Sequence, residues 1–190
     1  MKKISLLILA GVFALTSCVT VKKLPGLDKV YVTNTKQINI LPPSEVDVQL
    51  DDLMQLNLKN GGSSVAVLVY VQSDSDGVFI DIMNDFGTDM GTMTYDGESV
   101  ELDCPLFPKN MPPEYIINDL QNAFYKFDSV KNNLNQSKLE FTETVDSKTK
   151  TVVRTVKDGE KVIEKVTISG KSVTVENLLR KYSFSLIVSE

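Results

Sequence analysis

The chain has 190 residues, of which 42% are hydrophobic and 24% charged, a balance that fits one globular domain and excludes a disordered or coiled-coil chain. The 25 acidic and 20 basic side chains give a formal charge of −5, so the chain has no excess of cations with which to neutralise nucleic-acid phosphates. The chain contains no histidine, which excludes Ser-His-Asp and Cys-His nucleophile systems and histidine-bearing zinc sites. We therefore expect no nucleic-acid partner and no enzyme activity, with carboxylate-only mechanisms left open.

The first residues have the layout of a secretion signal. Lys2 and Lys3 precede an apolar run at residues 4–15, which is shorter than the roughly 20 residues needed to span a bilayer. The run ends in Leu-Thr-Ser-Cys at residues 15–18, which resembles a bacterial lipobox. The resemblance implies a signal peptide at residues 1–17 and covalent N-acyl and S-diacylglycerol groups on Cys18, with no other cofactor. The alternative is an ordinary signal sequence that ends at this cysteine.

Acyl chains on Cys18 would anchor the protein to a membrane, since two anchoring signals suffice for stable attachment. Val19 follows where an aspartate would resemble the inner-membrane retention signal of enterobacterial lipoproteins, so the expected location is the periplasmic face of the outer membrane. Residues 18–36 show no periodicity and are expected to hold the lipidated cysteine and a tether, with one domain at residues 37–190. Cys104 is expected to be a small buried residue rather than a redox centre.

The first half of the domain alternates apolar and polar residues, which predicts β-strands. Turn residues separate strands at residues 50–58, 65–71, 78–82, 88–95 and 98–102. The hairpin-length connections predict antiparallel pairing with one buried face. The sequence does not decide which face of the second strand points inward, because a register slip of one residue exchanges two sets of side chains. These sets are Val65, Val67, Val69 and Val71 against Ala66, Leu68 and Tyr70.

The pattern becomes helical after Pro112. Apolar residues recur at helical spacing and predict a helix over 113–127, with a second short helical stretch at about 129–134. Strands resume at residues 139–141, 152–156, 162–168, 173–175 and 182–188. About eight to ten antiparallel strands around one apolar-faced helical segment indicate an α+β domain. We expect a curved antiparallel sheet, or an unclosed β-barrel, with a helical cap.

Three segments resemble a known family. Residues 86–97, Phe-Gly-Thr-Asp-Met-Gly-Thr-Met-Thr-Tyr-Asp-Gly, resemble the Gly-x-x-x-x-x-Leu-x-Tyr-Asp-Gly hairpin of LolB-type outer-membrane lipoproteins. Residues 112–124 and 177–186 are similar to a LolB-related lipoprotein family of unknown function, found beside genes for aryl-polyene lipid synthesis. The resemblance implies a LolA/LolB-like open barrel around an apolar cavity that accepts acyl or similarly hydrophobic chains. Because the chain lacks tryptophan and its turn at residues 73–77 is polar, we favour a lipid-linked pigment or another amphipathic molecule as ligand over lipoproteins.

The residues expected to line this cavity are apolar positions of the predicted strands and helix. They are Val69, Ile80, Ile82, Met93 and Tyr95 from the sheet and Leu120, Phe124 and Phe127 from the helix. Each of them would also suit an ordinary packed core. The turn at residues 74–77 lacks the carboxylates of a calcium loop, so no metal is expected. The acidic pairs Asp51-Asp52 and Asp81 with Asp85 are interpreted as surface charge.

Three functions remain. The first is a lipoprotein that binds or helps transfer a hydrophobic molecule, with the membrane and that ligand as partners. The second is an envelope scaffold with a protein partner, which predicts an exposed apolar patch on the outside of the sheet. The third is a hydrolase that uses carboxylates only, which requires two acidic residues with perturbed pKa values in one cleft.

Overall fold

The protein is described by a computed structural model that covers residues 29–105, 107 and 111–189. The predicted signal peptide and the lipid attachment site Cys18 lie outside these residues. Within them, no helix has the length and apolar character needed to cross a bilayer.

A small hairpin opens the described chain. It consists of β1 (Lys29–Tyr31) and β2 (Gln37–Asn39), which pair antiparallel. Val30 and Val32 are buried in the hydrophobic core. Residues 29–36 therefore belong to the folded domain, although the sequence predicts a tether there. Strands of three residues are too short to show the alternation on which strand prediction depends.

Ten further strands form one antiparallel sheet. They are β3 (Leu50–Asn60), β4 (Ser63–Ser73), β5 (Val78–Met83), β6 (Asp89–Tyr95), β7 (Val100–Asp103), β8 (Glu140–Val145), β9 (Val152–Asp158), β10 (Lys161–Ser169), β11 (Ser172–Asn177) and β12 (Tyr182–Val188). Their spatial order is β7-β6-β5-β4-β3-β12-β11-β10-β9-β8, so each half of the sheet is a meander and β3 pairs with β12 at the centre. The edge strands β7 and β8 do not pair with each other. The predicted curved, unclosed sheet with a helical cap is confirmed.

The side chains of β4 show which face of the sheet is buried. Val67, Val69 and Val71 are buried, whereas Ala66 is exposed and Tyr70 is partly exposed. We call the face that carries these valines the inner face. The odd-numbered positions of β4 therefore point inward, which answers the question that the sequence leaves open.

Two helices, α1 (Pro113–Phe124) and α2 (Phe127–Gln136), lie where the sequence predicts a helix over 113–127 and a second short helical stretch at about 129–134, so the first helix ends earlier than expected. Tyr125 leaves the helical conformation, with φ −91° and ψ 163°, and forms an isolated antiparallel bridge with Val46. The carbonyl of Phe124 accepts hydrogen bonds from the backbone N–H groups of residues 47 and 48, which follow Val46. The N–H of Lys126 donates to the Glu45 carbonyl. Contacts with residues 45–48 therefore end α1, without any Gly or Pro at the break.

Arg154 on β9 holds the end of α1 against the sheet. Its Nη1 donates to the carbonyls of Asn122, Ala123 and Tyr125 at 3.1, 3.0 and 3.0 Å. Its Nε donates to the Glu143 carboxylate at 2.8 Å. The last carbonyls of a helix have no partners within the helix, so this guanidinium supplies the missing donors.

Candidate functional site

An apolar cavity lies between α1 and the inner face of the sheet. Its volume is about 70 Å³. All of its lining side chains are apolar, and they come from β3, β4, β5, β6, β12, α1 and the segment before α1. They are Leu56, Leu58, Val69, Val71, Ile80, Ile82, Met93, Phe107, Ile116, Leu120, Phe184 and Leu186.

Regular spacing in the sequence brings these side chains together. In the β3–β12 ladder Leu56 lies opposite Leu186 and Leu58 opposite Phe184, so the two strands present matched apolar pairs. From α1, Ile116 and Leu120 face them at a separation of four residues, which places both on one side of the helix.

The structure brings five of the eight predicted cavity residues around this cavity. These five are Val69, Ile80, Ile82, Met93 and Leu120. Phe124 lines a second cavity, described below. Tyr95 is buried and donates its hydroxyl to the Leu41 carbonyl at 3.0 Å. Phe127 lies beyond the end of α1, as the first residue of α2, and does not line the central cavity. Its ring stacks on that of Phe141, with the centroids 5.2 Å apart.

The second apolar cavity continues the interior toward the start of β3 and the end of β12. Its volume is about 140 Å³, and Leu186 lines both this cavity and the central one. Met54, Phe124 and Val188 contribute apolar surface, whereas Asp52 and Lys171 add opposite charges to its lining. The space under α1 is therefore a row of voids along two neighbouring strands, where a folded core ordinarily leaves few.

A polar pocket lies at the opposite end of the same two strands. Its volume is about 250 Å³, and it is lined by Asn60, Met111, Tyr115, Arg180 and Tyr182. Asn60 and Tyr182 form the ladder pair two residues beyond Leu58 and Phe184, so they lie on the same face of the sheet. The sequence reasoning missed Arg180, because a basic residue within the polar connection between two strands is typical of surface charge.

A buried carboxyl pair lies near Arg180. Asp119 of α1 and Glu164 of β10 each expose 1% of their surface. Asp119 accepts a hydrogen bond from the Tyr182 hydroxyl at 2.5 Å, and Glu164 accepts one from the Asn122 amide at 2.9 Å. Burial raises the pKa of both acids, and the charge of Glu164 raises the pKa of Asp119 well above its usual range. The raised pKa values favour the neutral form of each carboxyl, which lowers the cost of burying the pair.

Glu164 is turned inward by an irregularity of β10. The register shifts between Val162 and Glu164 where β10 pairs with β9, so both Ile163 and Glu164 are buried. A β-bulge of this kind redirects side chains that strict alternation would place on the other face. The sequence signals this bulge only through the run Val162-Ile163-Glu164. Strict alternation would bury either Ile163 or Glu164, but not both.

The acidic residues give the hydrolase hypothesis little support. The small cavity beside Asp119 and Glu164 has no room for a water molecule, so a substrate has no access to the pair in this structure. Asp51 accepts a hydrogen bond from the Tyr70 hydroxyl on the outer face, whereas Asp52 lines the second apolar cavity. In residues 29–105, 107 and 111–189, no cluster of acidic or cysteine side chains could hold a metal ion.

Two further residues differ from the sequence expectations. The turn at residues 73–77 is polar, but Phe86 in the next turn, between β5 and β6, is 94% exposed, so that turn presents an apolar side chain to solvent. Cys104 follows β7 as a free thiol and is partly exposed rather than fully buried.

The fold and the cavity define the structural class of this protein: its domain is a curved antiparallel sheet, and a helical cap covers the apolar interior of that sheet. Residues 51–187 match the family described as "Protein of unknown function (DUF3261)", and the chain belongs to this family. A "putative outer membrane lipoprotein-sorting protein domain" from Vibrio parahaemolyticus has a similar crystal structure, with 13% identity and a TM-score of 0.35. That similarity covers 73% of this chain and 82% of the other. No curated protein matches this chain.

Proposed function

We propose that the protein is a non-enzymatic lipoprotein, anchored through Cys18 and facing the periplasm, that binds or helps transfer a hydrophobic molecule at the outer membrane. The observation that carries the proposal is the central cavity, whose lining is apolar on every side. An acyl or polyene chain makes no hydrogen bonds, so it would lose none on entering, and its removal from water would provide the binding free energy.

The cavity must widen to admit a ligand. Its volume of about 70 Å³ is below the range of about 300–1,000 Å³ typical of ligand pockets. Leu56, Leu58, Phe107 and Ile116 are only partly buried and pack against the core, so these lining residues have space in which to move. Separation of α1 from the sheet would join the central cavity to the second one, and its return would hold the chain in place.

Phe86 would give the domain a second contact with the bilayer. An exposed phenyl ring is stabilised when it enters the interfacial region of a membrane, and the acyl chains of Cys18 would keep it nearby. Contact of the β5–β6 turn with the bilayer would hold the domain against the membrane from which a hydrophobic chain is taken or to which it is given.

The test is native mass spectrometry with lipid extraction on residues 19–190, purified from the periplasm without detergent. Every described strand and helix is present in this chain, and it lacks the Cys18 anchor, so a bound lipid must sit in the fold. We expect a stoichiometric hydrophobic adduct. Leu58→Trp should abolish the adduct, because the larger side chain fills the cavity from a partly buried position.

Lys59→Trp is the matched control, since Lys59 is exposed beside Leu58 on the same strand and points to the outer face. Both variants should keep the circular dichroism of the wild type. A wild-type protein without adduct in several growth conditions, and without uptake of added lipid, would contradict the proposal. An adduct retained by Leu58→Trp would place the lipid somewhere other than the central cavity.

A scaffold role is the second candidate, and one observation favours it. On the outer face Leu53 lies opposite Tyr70 in the β3–β4 ladder, and the Tyr70 ring lies 6.5 Å from the Phe79 ring. Leu53 and Phe79 are both exposed. These three side chains form an apolar patch that an envelope protein could cover. Absence of bound lipid, together with crosslinks to one protein from position 79 but not from the exposed position 98, would favour this function.

A further inference from the structure

We infer that the ligand is an anionic amphiphile with a single alkyl chain, whose head group binds beside Arg180 and whose chain follows β3 and β12 into the apolar cavities. This inference rests on the proposed function and adds the chemical class of the ligand. It is carried by the position of the polar pocket, which lies at one end of the row of apolar voids.

The row follows a continuous stripe of paired side chains. Successive inward pairs of the β3–β12 ladder are Met54 with Val188, Leu56 with Leu186, Leu58 with Phe184, and Asn60 with Tyr182. The stripe is thus apolar for three pairs and polar at the fourth. The apolar part of the stripe, from Met54 to Leu58, extends about 14 Å at the rise of a β-strand. An alkyl chain in one leaflet spans about 15 Å, half of the hydrocarbon core of a bilayer, so the apolar part matches one such chain.

Arg180 is held rigidly in the polar pocket. Its Nη1 donates to the Val32 carbonyl at 3.0 Å and its Nη2 to the Tyr31 carbonyl, while the guanidinium stacks on the Tyr115 ring at 4.0 Å. Two neutral carbonyls and a ring fix the group, and its charge also acts on the nearby buried acids Asp119 and Glu164, whose pKa values burial raises and this charge lowers. Among the described residues it forms no ion pair, and its Nε donates to none of them. A fixed guanidinium with a free donor is suited to a carboxylate or phosphate oxygen.

The rest of the pocket also favours an anion. Asn60, Tyr115 and Tyr182 contribute neutral polar groups and Met111 an apolar one, so the lining includes no carboxylate. The buried pair Asp119 and Glu164 faces a separate small cavity, which Arg180 also lines. A cationic head group would therefore meet a positive charge in the pocket, and a neutral one would leave the guanidinium unused.

The experiment measures displacement of the neutral dye N-phenyl-1-naphthylamine from residues 19–190 at neutral pH and low salt. Dodecanoate, dodecyl phosphate and 1-dodecanol share one chain and differ in the head group. We expect both anions to bind about tenfold more tightly than the alcohol, the size of one hydrogen bond to a charged group. A preference between the two anions would tell whether a carboxylate or a phosphate suits the pocket better, and either preference supports the inference.

Three variants that each lower the net charge by one separate local from general effects. Asn60→Asp adds a carboxylate to the pocket without a change of shape, and Arg180→Gln removes the guanidinium. Both should reduce the preference for anions to about onefold while binding of the alcohol is kept. Lys59→Gln makes the same charge change on the outer face and should leave the preference unaltered. Asn60→Asp matters most, because Arg180 also fastens β1 and its loss can disturb that hairpin.

The outcomes distinguish this inference from the function on which it rests. If the alcohol binds as tightly as the anions, or if Asn60→Asp binds dodecanoate as the wild type does, the head-group assignment is wrong while chain binding stands. If native mass spectrometry shows that none of the three compounds binds, the proposed function fails together with the inference.

Discussion

Replacement of Arg154 by methionine should weaken the fold strongly, because one buried guanidinium serves the whole end of α1. The side chain donates to three backbone carbonyls and to the Glu143 carboxylate. Methionine fills a similar volume and donates no hydrogen bond, so the substitution isolates the loss of the donors from the loss of packing.

The number of hydrogen bonds lost sets the expected loss in the free energy of unfolding. A buried acceptor left without its donor costs about 1–3 kcal/mol, and partial relaxation or entry of water reduces the sum for neighbouring groups. For three carbonyls at the end of one helix we expect a loss of about 3–5 kcal/mol in the free energy of unfolding. The matched control is Glu143→Gln, which removes the ionic partner alone. Its side chain is 29% exposed, so its loss should cost less than about 1 kcal/mol.

Urea unfolding of residues 19–190, followed by far-ultraviolet circular dichroism, measures both variants. The slope of the free energy against urea concentration should stay unchanged, since the same surface is exposed on unfolding. A loss below about 1 kcal/mol for Arg154→Met, with an unchanged slope, would refute the reasoning that the guanidinium caps α1.

Three further predictions concern other parts of the molecule. Because burial and the charge of Glu164 raise the pKa of Asp119, the folded state retains a proton that the unfolded chain releases. The contribution of this group to stability should therefore be fully present below its usual pKa of 3.8 and fall as the pH rises through the folded-state pKa. Asp119→Asn should flatten this fall in urea unfolding between acidic and neutral pH, and equal slopes for both proteins would contradict the assignment. Gly91→Ala should cost at least about 1–3 kcal/mol, since Gly91 has φ +139° and a Cβ there would lie 2.1 Å from the carbonyl oxygen of Asp103, the last residue of β7. A Cβ at Gly62 meets no atom within 4 Å, so Gly62→Ala should change the urea midpoint little. Phe86→Ser should reduce sedimentation of residues 19–190 with phospholipid vesicles without a change in the urea midpoint, and unchanged sedimentation would argue against membrane contact by this turn.

The carboxyl pair and the polar pocket are linked through Tyr182. Its hydroxyl donates to Asp119, and its ring lines the pocket beside Arg180. Asp119→Asn keeps an acceptor for this hydroxyl, so it tests the charge of the pair without removing the contact. The variant is therefore also a suitable background in which to repeat the dodecanoate measurement.

Local patterns in the sequence determined most of the secondary structure. Alternation through Tyr182, Phe184 and Leu186 predicted the last strand, and the same period marked the hairpins between residues 50 and 102. Such patterns work because a side chain's burial depends first on the face of the element that carries it. They also identified five residues that the structure brings around the central cavity.

Tertiary structure alone decided which elements meet. The pairing of β3 with β12 joins residues that are more than a hundred positions apart, and no local pattern specifies such a partner. The end of α1 at Phe124 depends on hydrogen bonds from residues 45–48, which override a helical pattern that continues to Phe127. Asp119 and Glu164 come together only because a bulge in β10 turns one acid toward the helix that carries the other. The sequence thus determined what had to be buried, and the packing of distant segments determined what each buried group would face.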